Sequence, residues 1–210
     1  CQFQVKLGSD NNWQADVERL IRVRETVGKG PLVYGDWNCG ASQLDAIRVA
    51  RAVSHLDVML EQPCASLAEC ANVKKATGLP MKIDENAYDT SSLLEANSLG
   101  CLDAVALKLS KFGGLSNMRR ARDLCEYLGV KMCVEDTWGS DITTNAALHL
   151  ATATASRALL NVCDLSGYVS PRLDSNGPTR RDGKISVSES PGHGITPEIE
   201  VLGDPILVLS

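Results

Sequence analysis

The sequence lacks long hydrophobic runs, clusters of basic residues and a large share of aromatic residues. No stretch approaches the roughly 20 consecutive apolar residues that a membrane-spanning helix requires, and aromatic residues make up only 4% of the chain. Asp and Glu, at 26 residues, outnumber Lys and Arg, at 21, and the basic patch of a nucleic-acid-binding protein is absent. We therefore expect a cytoplasmic protein that binds neither membranes nor nucleic acids.

Metal-binding and redox cysteine patterns are missing as well. The eight cysteines include no C-x-x-C pair, and no histidine accompanies them at zinc-site spacing. Reduced, mostly buried thiols are the simplest interpretation. No glycine-rich phosphate-binding turn follows the first strand-like segment, which argues against a doubly wound nucleotide-binding fold.

Seven short apolar segments recur along the chain, and helical patterns lie between them. Strict alternation of strand and helix predicts an α/β fold with a parallel sheet, and a series of this length favours a (β/α)8 TIM-type barrel. Each segment ends in a charged residue; in chain order these are Lys6, Asp36, Glu61, Asp84, Lys108, Glu135 and Asp164.

The division of the chain follows from the same count. We predict that residues 1–168 form the barrel and that residues 169–210, which are rich in Pro and Gly, form an irregular tail. A complete barrel has eight strands, whereas about seven are visible here, and the chain begins with Cys rather than Met. We expect an N-terminally truncated barrel that lacks its first strand.

The strand ends predict a metal site, because catalytic groups of such barrels lie at the carboxyl ends of the strands. Asp36, Glu61 and Asp84 end three successive segments and would repel one another unless a cation lay among them. Oxygen ligands alone favour Mg²⁺, with Mn²⁺ as an alternative. A charge that merely meets solvent would explain one strand end better than three.

Two lysines complete this pattern. Lys6 and Lys108 end the first and fifth visible segments, half a turn apart in a barrel of eight, so we expect them to face each other across its mouth. Such a pair could remove a proton from one face of a bound carboxylate and return it to the other, provided that its pKa is lowered. A divalent cation would stabilise the enediolate that forms.

Five motifs in order resemble the barrel domain of the mandelate racemase/muconate lactonizing branch of the enolase superfamily. The resemblance extends from about Phe3 to Glu200. The matching segments are Phe3-Gln4-Val5-Lys6 for the family's K-x-K, Asp36-Trp37-Asn38 for D-x-N, Glu61-Gln62-Pro63 for E-Q-P, Asp84-Glu85 for D-E, and Lys108-Leu109-Ser110-Lys111-Phe112-Gly113-Gly114 for K-x-x-K-x-G-G.

The resemblance implies that Asp36, Glu61 and Asp84 bind Mg²⁺, and that Lys6 and Lys108 are the acid/base pair. It also implies that an N-terminal capping domain is missing, that the tail packs toward it, and that the full-length protein is a homo-oligomer. We predict that the substrate is a small carboxylate contacted by polar residues at or after the strand ends: Gln4, Asn38, Glu85, Glu135, Asp136, Trp138 and Asp164.

One position departs from the family pattern, because Gln4 replaces the leading lysine of K-x-K. Gln4 and Lys6 share a face of their strand. An amide can hydrogen-bond a substrate carboxylate, but it cannot lower the pKa of Lys6 by its charge.

The segment from Glu135 to Asp141 suggests a substrate. Trp138 would stand over the barrel mouth, where an indole attracts cationic nitrogens. The segment resembles family members that act on hydroxyproline and proline betaines, which predicts dehydration, epimerisation or racemisation of an imino or amino acid. The alternatives are a cycloisomerase, a dipeptide epimerase, an acid-sugar dehydratase and a catalytically incompetent fragment.

Overall fold

A computed structural model describes residues 2–9 and 12–208. Parallel strands alternate with helices, and the seven strands follow one another along the sheet in chain order. The strands are β1 Gln2–Lys6, β2 Leu32–Asp36, β3 Val58–Glu61, β4 Met81–Ile83, β5 Ala104–Lys108, β6 Lys131–Glu135 and β7 Leu159–Val162. The helices are α1 Trp13–Val27, α2 Gln43–Ala52, α3 Leu67–Thr77, α4 Thr90–Ser98, α5 Leu109–Phe112, α6 Leu115–Leu128, α7 Asp141–Thr152 and α8 Ile199–Leu202.

The first of two compact units ends at Ala106 within β5. Its strands β1 to β5 pair in parallel, and their apolar side chains form a core with those of the covering helices; Leu20 and Val49 are fully buried on α1 and α2. Ser66 begins α3 with a capping box, in which Ser66 and Glu69 each bond the other's backbone N–H. Short loops thus bring successive strands into register.

The second unit begins at Leu107. Within it, β6 and β7 pair in parallel, and α6 and α7 contribute Met118 and Leu148 to its core. A 3₁₀ turn, Ser166–Tyr168, follows β7. The unit therefore repeats the strand-and-helix pattern of the first unit before the chain becomes irregular.

The segment after the 3₁₀ turn has little regular structure and is anchored through one buried carboxylate. Asp141, the first residue of α7, forms an ion pair with Arg172 and accepts hydrogen bonds from the backbone N–H groups of Leu173 at 2.9 Å and Asp174 at 3.2 Å. Burial alone would raise the pKa of Asp141, but the hydrogen bonds from Arg172 and from these backbone groups outweigh it and lower the pKa. Asp141 thereby fixes the start of the tail.

The α/β class and the seven strands agree with the sequence predictions, whereas the division into residues 1–168 and 169–210 stays a prediction. Five of the predicted strand-end charges are the last residues of their strands, whereas Asp84 lies one residue beyond β4 and Asp164 two residues beyond β7. The missing eighth strand, the capping domain and the packing of the tail toward it stay predictions.

Two further observations bear on the sequence analysis. Among the described helices, none combines the length and the apolar character needed to cross a bilayer. Five of the seven cysteines from Cys39 to Cys163 are buried; Cys1 lies outside the described residues.

Candidate active site

Four charged residues form one row across the carboxyl ends of the first four strands. The strand register pairs Lys6 with Asp36, Asp36 with Glu61, and Glu61 with Lys82. Because paired residues of parallel strands point to the same face, the row presents the charges plus, minus, minus, plus. Asp84, two residues beyond Lys82, shares this face. The three carboxylates and Lys82 are all buried.

Asp36 brings together three residues of the predicted site. Its Oδ2 forms an ion pair with Lys6 Nζ and accepts a hydrogen bond from Gln4 Nε2 at 2.7 Å. Its Oδ1 accepts from the backbone N–H of Asn38 at 2.9 Å, and Lys6 Nζ also donates to Asn38 Oδ1 at 2.7 Å. The side chain of Lys6 is nevertheless 62% exposed, so Lys6 can reach outward from the strand end.

Glu61 bonds a cation on one oxygen and an amide on the other. Its Oε1 lies 2.8 Å from Lys82 Nζ, and its Oε2 accepts from Gln4 Nε2 at 2.9 Å. Burial raises the pKa of the Glu61 carboxyl to about 7; Lys82 lowers it, while Asp36 and Asp84 raise it. The raised pKa shows that the charge of this carboxylate is only partly compensated by its protein neighbours.

Gln62 fixes the chain that carries Asp84. It is fully buried with a φ of 32°, a left-handed conformation that turns its side chain inward. Its Oε1 accepts from the backbone N–H of Asp84 at 3.0 Å, and its Nε2 donates to Asn86 Oδ1 at 2.6 Å. Beside this segment, Glu85 Oε1 accepts from Asn38 Nδ2 at 3.0 Å. The predicted residues Asn38 and Glu85 are therefore in direct contact.

Asp16 links the loops that follow β1 and β2. This buried carboxylate on α1 accepts from the backbone N–H of Gly8 at 2.9 Å and from Trp37 Nε1 at 3.2 Å, and it pairs with Arg19 at 2.9 Å. Gly8 lies two residues after Lys6, and Trp37 directly follows Asp36. Asp16 therefore holds both strand ends of the site from outside it.

The donor set fits a hard divalent cation in its chemistry. Asp36, Glu61 and Asp84 offer only oxygen and are buried, and the charges of Asp36 and Asp84 raise the pKa of Glu61. Within residues 2–9 and 12–208, however, no three carboxylate, histidine or cysteine side chains are placed so as to hold a metal ion. The oxygens of Asp36 and Glu61 instead bond to Gln4, Lys6 and Lys82.

The remaining predicted residues belong to the second unit. Lys108 ends β5 and is half-buried. Two residues later, Ser110 donates through its backbone N–H to Asp136 Oδ2 at 3.0 Å and through its hydroxyl to Oδ1, which also accepts from the backbone N–H of Thr137 at 2.7 Å. Asp136 thus binds the segment that follows Lys108. Because Lys6 and Lys108 lie in different units, their opposition across the mouth stays a prediction.

Trp138 lies next to an aromatic partner that the sequence analysis missed. Its ring is 68% exposed and meets the Tyr168 ring edge-on, with centroids 5.8 Å apart. Asp164 Oδ1 accepts from Ser166 Oγ at 2.8 Å and from the backbone N–H of Gly167 at 3.1 Å, so it shapes the turn that carries Tyr168. Glu135 ends β6 and is half-buried.

Lys82 is the other residue that the sequence analysis missed. A charged residue between Met81 and Ile83, two positions before Asp84, should share the face of Asp84 by the period of a strand. That spacing was the available signal. The contact of Lys82 with Glu61 depends on the register between β3 and β4, and the sequence does not give that register.

Comparison with known proteins places these residues in a family context. A family profile described as enolase C-terminal domain-like matches residues 2–201. The chain is 38% identical over 205 residues to cis-3-hydroxy-L-proline dehydratase of Roseibium aggregatum, which covers 98% of this chain and 55% of that protein. It is 27% identical to N-succinyl-L-Arg/Lys racemase of Bacillus cereus, covering 92% of this chain and 52% of that protein.

Solved structures resemble the fold closely. A mandelate racemase/muconate lactonizing enzyme from Roseovarius nubinhibens superposes with a TM-score of 0.92 at 35% identity, over 98% of this chain and 55% of that one. An enolase superfamily member from the same organism, complexed with magnesium, superposes with a TM-score of 0.93 at 29% identity, over 98% and 56% of the two chains. The present chain spans about half the length of these relatives.

Proposed function

Because the chain belongs to the mandelate racemase/muconate lactonizing branch of the enolase superfamily, we propose that it performs Mg²⁺-dependent removal of the proton next to the carboxylate of an imino or amino acid. The reaction would end in loss of water or in epimerisation. The observation that carries this proposal is the row of buried carboxylates at adjacent strand ends, flanked by Lys6. Its relatives act as dehydratases and racemases by name.

Asp36, Glu61 and Asp84 are the residues that would hold Mg²⁺. When bound there, the ion would stabilise the negative charge that develops on the substrate carboxylate as its α-proton leaves. Mn²⁺ has the same ligand preference and could replace it. Gln4, which already donates to Asp36 and Glu61, would hold these two carboxylates in place or turn its amide to the substrate.

Lys108 and Lys6 are proposed as the acid/base pair. Lys108 would exchange the α-proton, and Asp136 would keep the segment after it in place through Ser110. Lys6 would act on the opposite face of the substrate, where Asn38 and Asp36 orient its ammonium. Gln4 carries no charge, unlike the leading lysine of the family's K-x-K motif, so we assign removal of the α-proton to Lys108.

For the substrate we propose a proline-type amino acid, such as a hydroxyproline or a proline betaine. The exposed pair of Trp138 and Tyr168 offers two aromatic rings to a cationic nitrogen, worth about 0.5–2 kcal/mol for one ring. Asn38, Glu85, Glu135 and Asp164 are the polar groups proposed to contact the rest of the substrate. The dehydratase relative acts on a hydroxyproline by name.

Proton NMR in D₂O tests the proposal. Full-length protein with Mg²⁺ is incubated with proline, the hydroxyprolines, their betaines, N-acyl amino acids and dipeptides, and the α-proton signal is followed. We expect loss of that signal for one class, with the product showing whether water is lost. Absence of exchange for every compound would contradict the imino-acid proposal and favour the cycloisomerase, acid-sugar or inactive alternatives.

Lys108→Ala identifies the base. In this variant the rate of α-proton exchange should fall by a factor of about 10³ or more. General-base catalysis contributes a factor of about 10²–10⁴ to the rate, and alanine cannot accept a proton. Lys131→Ala is the matched control, because Lys131 is an exposed lysine at the start of β6, the opposite end of a strand. Full exchange in Lys108→Ala would refute the assignment.

A second candidate is racemisation or epimerisation of an N-acylated amino acid or a dipeptide, in keeping with the racemase relative. This reaction would use the same base and metal ion as the dehydration, and it differs only in that the substrate has no leaving group on its β-carbon. Dipeptide epimerases of this branch usually carry a D-x-D motif after the last strand, whereas this chain has the single Asp164 there, which disfavours dipeptides. We further propose a cytoplasmic homo-oligomer that binds neither membranes nor nucleic acids; light scattering of full-length protein showing only monomers would contradict the oligomer.

A further inference from the structure

Lys82 is enclosed far more deeply than Lys6, which also pairs with a carboxylate of this row. Its side chain is 2% exposed, against 62% for Lys6. Its ammonium lies 2.8 Å from Glu61 Oε1 and 4.8 Å from the centroid of the Tyr34 ring. Tyr34 precedes Asp36 by two residues and therefore points to the same face of the sheet. Lys82 is thus an enclosed member of the row of charges, and its ammonium is directed at Glu61.

The two lysines consequently have different freedom. Lys6 can withdraw from Asp36 into solvent when another cation approaches, because most of its side chain is already exposed. Lys82 has no such route, because moving it would break a buried ion pair and leave a buried charge uncompensated. Any cation that binds Asp36, Glu61 and Asp84 must therefore share the site with Lys82.

We propose that Lys82 is a positioning residue that sets the charge of the metal site for a divalent ion. The inference rests on the proposed function, since it takes Asp36, Glu61 and Asp84 as the ligands. Three carboxylates carry three negative charges, and Lys82 together with one divalent ion balances them. A trivalent ion would leave the enclosed cluster with an excess positive charge, which burial disfavours. Lys82 also bonds Oε1 of Glu61 and so leaves Oε2 toward Gln4 and the neighbouring carboxylate.

Competition between two ions tests this charge assignment without measuring activity. Full-length protein is titrated with Tb³⁺, whose luminescence reports binding, and the bound Tb³⁺ is displaced with Mg²⁺. Lys82→Met removes the charge, Lys82→Arg keeps it, and Lys75→Met is a control on the exposed face of α3. Both affinities come from one sample, so a common loss through misfolding cancels in their ratio.

We expect the Tb³⁺ over Mg²⁺ preference of Lys82→Met to rise at least about tenfold, because the lost charge repels a trivalent ion more than a divalent one. Lys82→Arg and Lys75→Met should keep the wild-type ratio. An unchanged ratio in Lys82→Met would overturn the proposal.

A double variant separates this inference from the proposed function. Without metal, Lys82→Met should lower the melting temperature, and Lys82→Met/Glu61→Gln should recover part of the loss because the buried charge of Glu61, which lost its partner, is removed as well. If the double variant melts at the same temperature as Lys82→Met, the loss of the pair with Glu61 is not what destabilises Lys82→Met. The proposed metal site is wrong if wild-type protein does not bind Mg²⁺, or if Asp36→Asn leaves Mg²⁺ binding unchanged. In either case the charge assignment of Lys82 fails with it.

Discussion

Glu61 in the first unit and Asp141 in the second are both buried carboxylates paired with a cation, yet their pKa values move in opposite directions. The pKa of Glu61 is raised to about 7, chiefly by burial. The pKa of Asp141 is lowered despite burial, because Arg172 and two backbone N–H groups donate to it. The presence of a pairing cation alone therefore does not decide the direction of the pKa shift.

The difference lies in the other neighbours. Glu61 stands between Asp36 and Asp84, so its single ion pair with Lys82 is opposed by two like charges. Asp141 receives donors on both oxygens and begins a helix, where the N-terminal partial charge favours an anion. Asp141 is satisfied within the protein, as a structural anchor should be, whereas the Glu61 cluster keeps the capacity for one more cation.

Removing the anchor gives the largest expected effect on stability. Asp141→Ala leaves Arg172 and two backbone N–H groups without their acceptor and should lower the free energy of unfolding by about 4 kcal/mol. Urea denaturation measures this. Asp45→Ala, which breaks the exposed pair with Arg48, is the control and should change stability by less than about 1 kcal/mol. Equal effects of the two variants would remove the distinction between anchor and surface pair.

The Glu61 cluster should show itself in the pH dependence of metal-free protein. Its raised pKa means that the folded state keeps a proton that the unfolded state has lost between about pH 4.5 and 7, so stability should fall as pH rises through this range, by about 3 kcal/mol at most. Glu61→Gln should flatten this limb. If the slope persists in the variant, another group causes it.

The smallest expected effect is the acid limb of Asp141. Because its pKa is lowered, its contribution is fully present above the ordinary aspartate value and is lost as pH falls through the folded-state pKa. Asp141→Asn should therefore weaken the loss of stability below about pH 4 in a series of denaturation curves. A steeper acid loss in the variant would contradict the sign of this shift.

The strands and their ends could be predicted because each depends on local pattern. The apolar segments that end in Asp36, Glu61 and Lys108 form β2, β3 and β5, and these residues are the last of their strands. Gly78 and Gly129 end α3 and α6 in left-handed C-caps, a local role that glycine favours. Parallel order and helix alternation followed from spacing alone.

The partners within the site could not be predicted, since they depend on register and on long-range packing. Lys82 meets Glu61 only because β3 and β4 align them, and Asp141 meets Arg172 across 31 positions of the chain. Asp136 is bonded to Ser110, a contact that the sequence does not give, while its contact with the substrate stays a prediction. Sequence patterns gave the chemical groups, and tertiary contacts decide which of them are already engaged.

Asp16 has a consequence for engineering the protein. Its carboxylate bonds the loop after β1 at Gly8 and the loop after β2 at Trp37, so these loops are not independent modules for grafting. A variant in which either loop is exchanged would lose a hydrogen bond to Asp16 on α1 unless Gly8, Trp37 and Asp16 were all retained. Directed evolution of new specificity should therefore vary the loops that follow the later strands and leave the contacts of Asp16 unchanged.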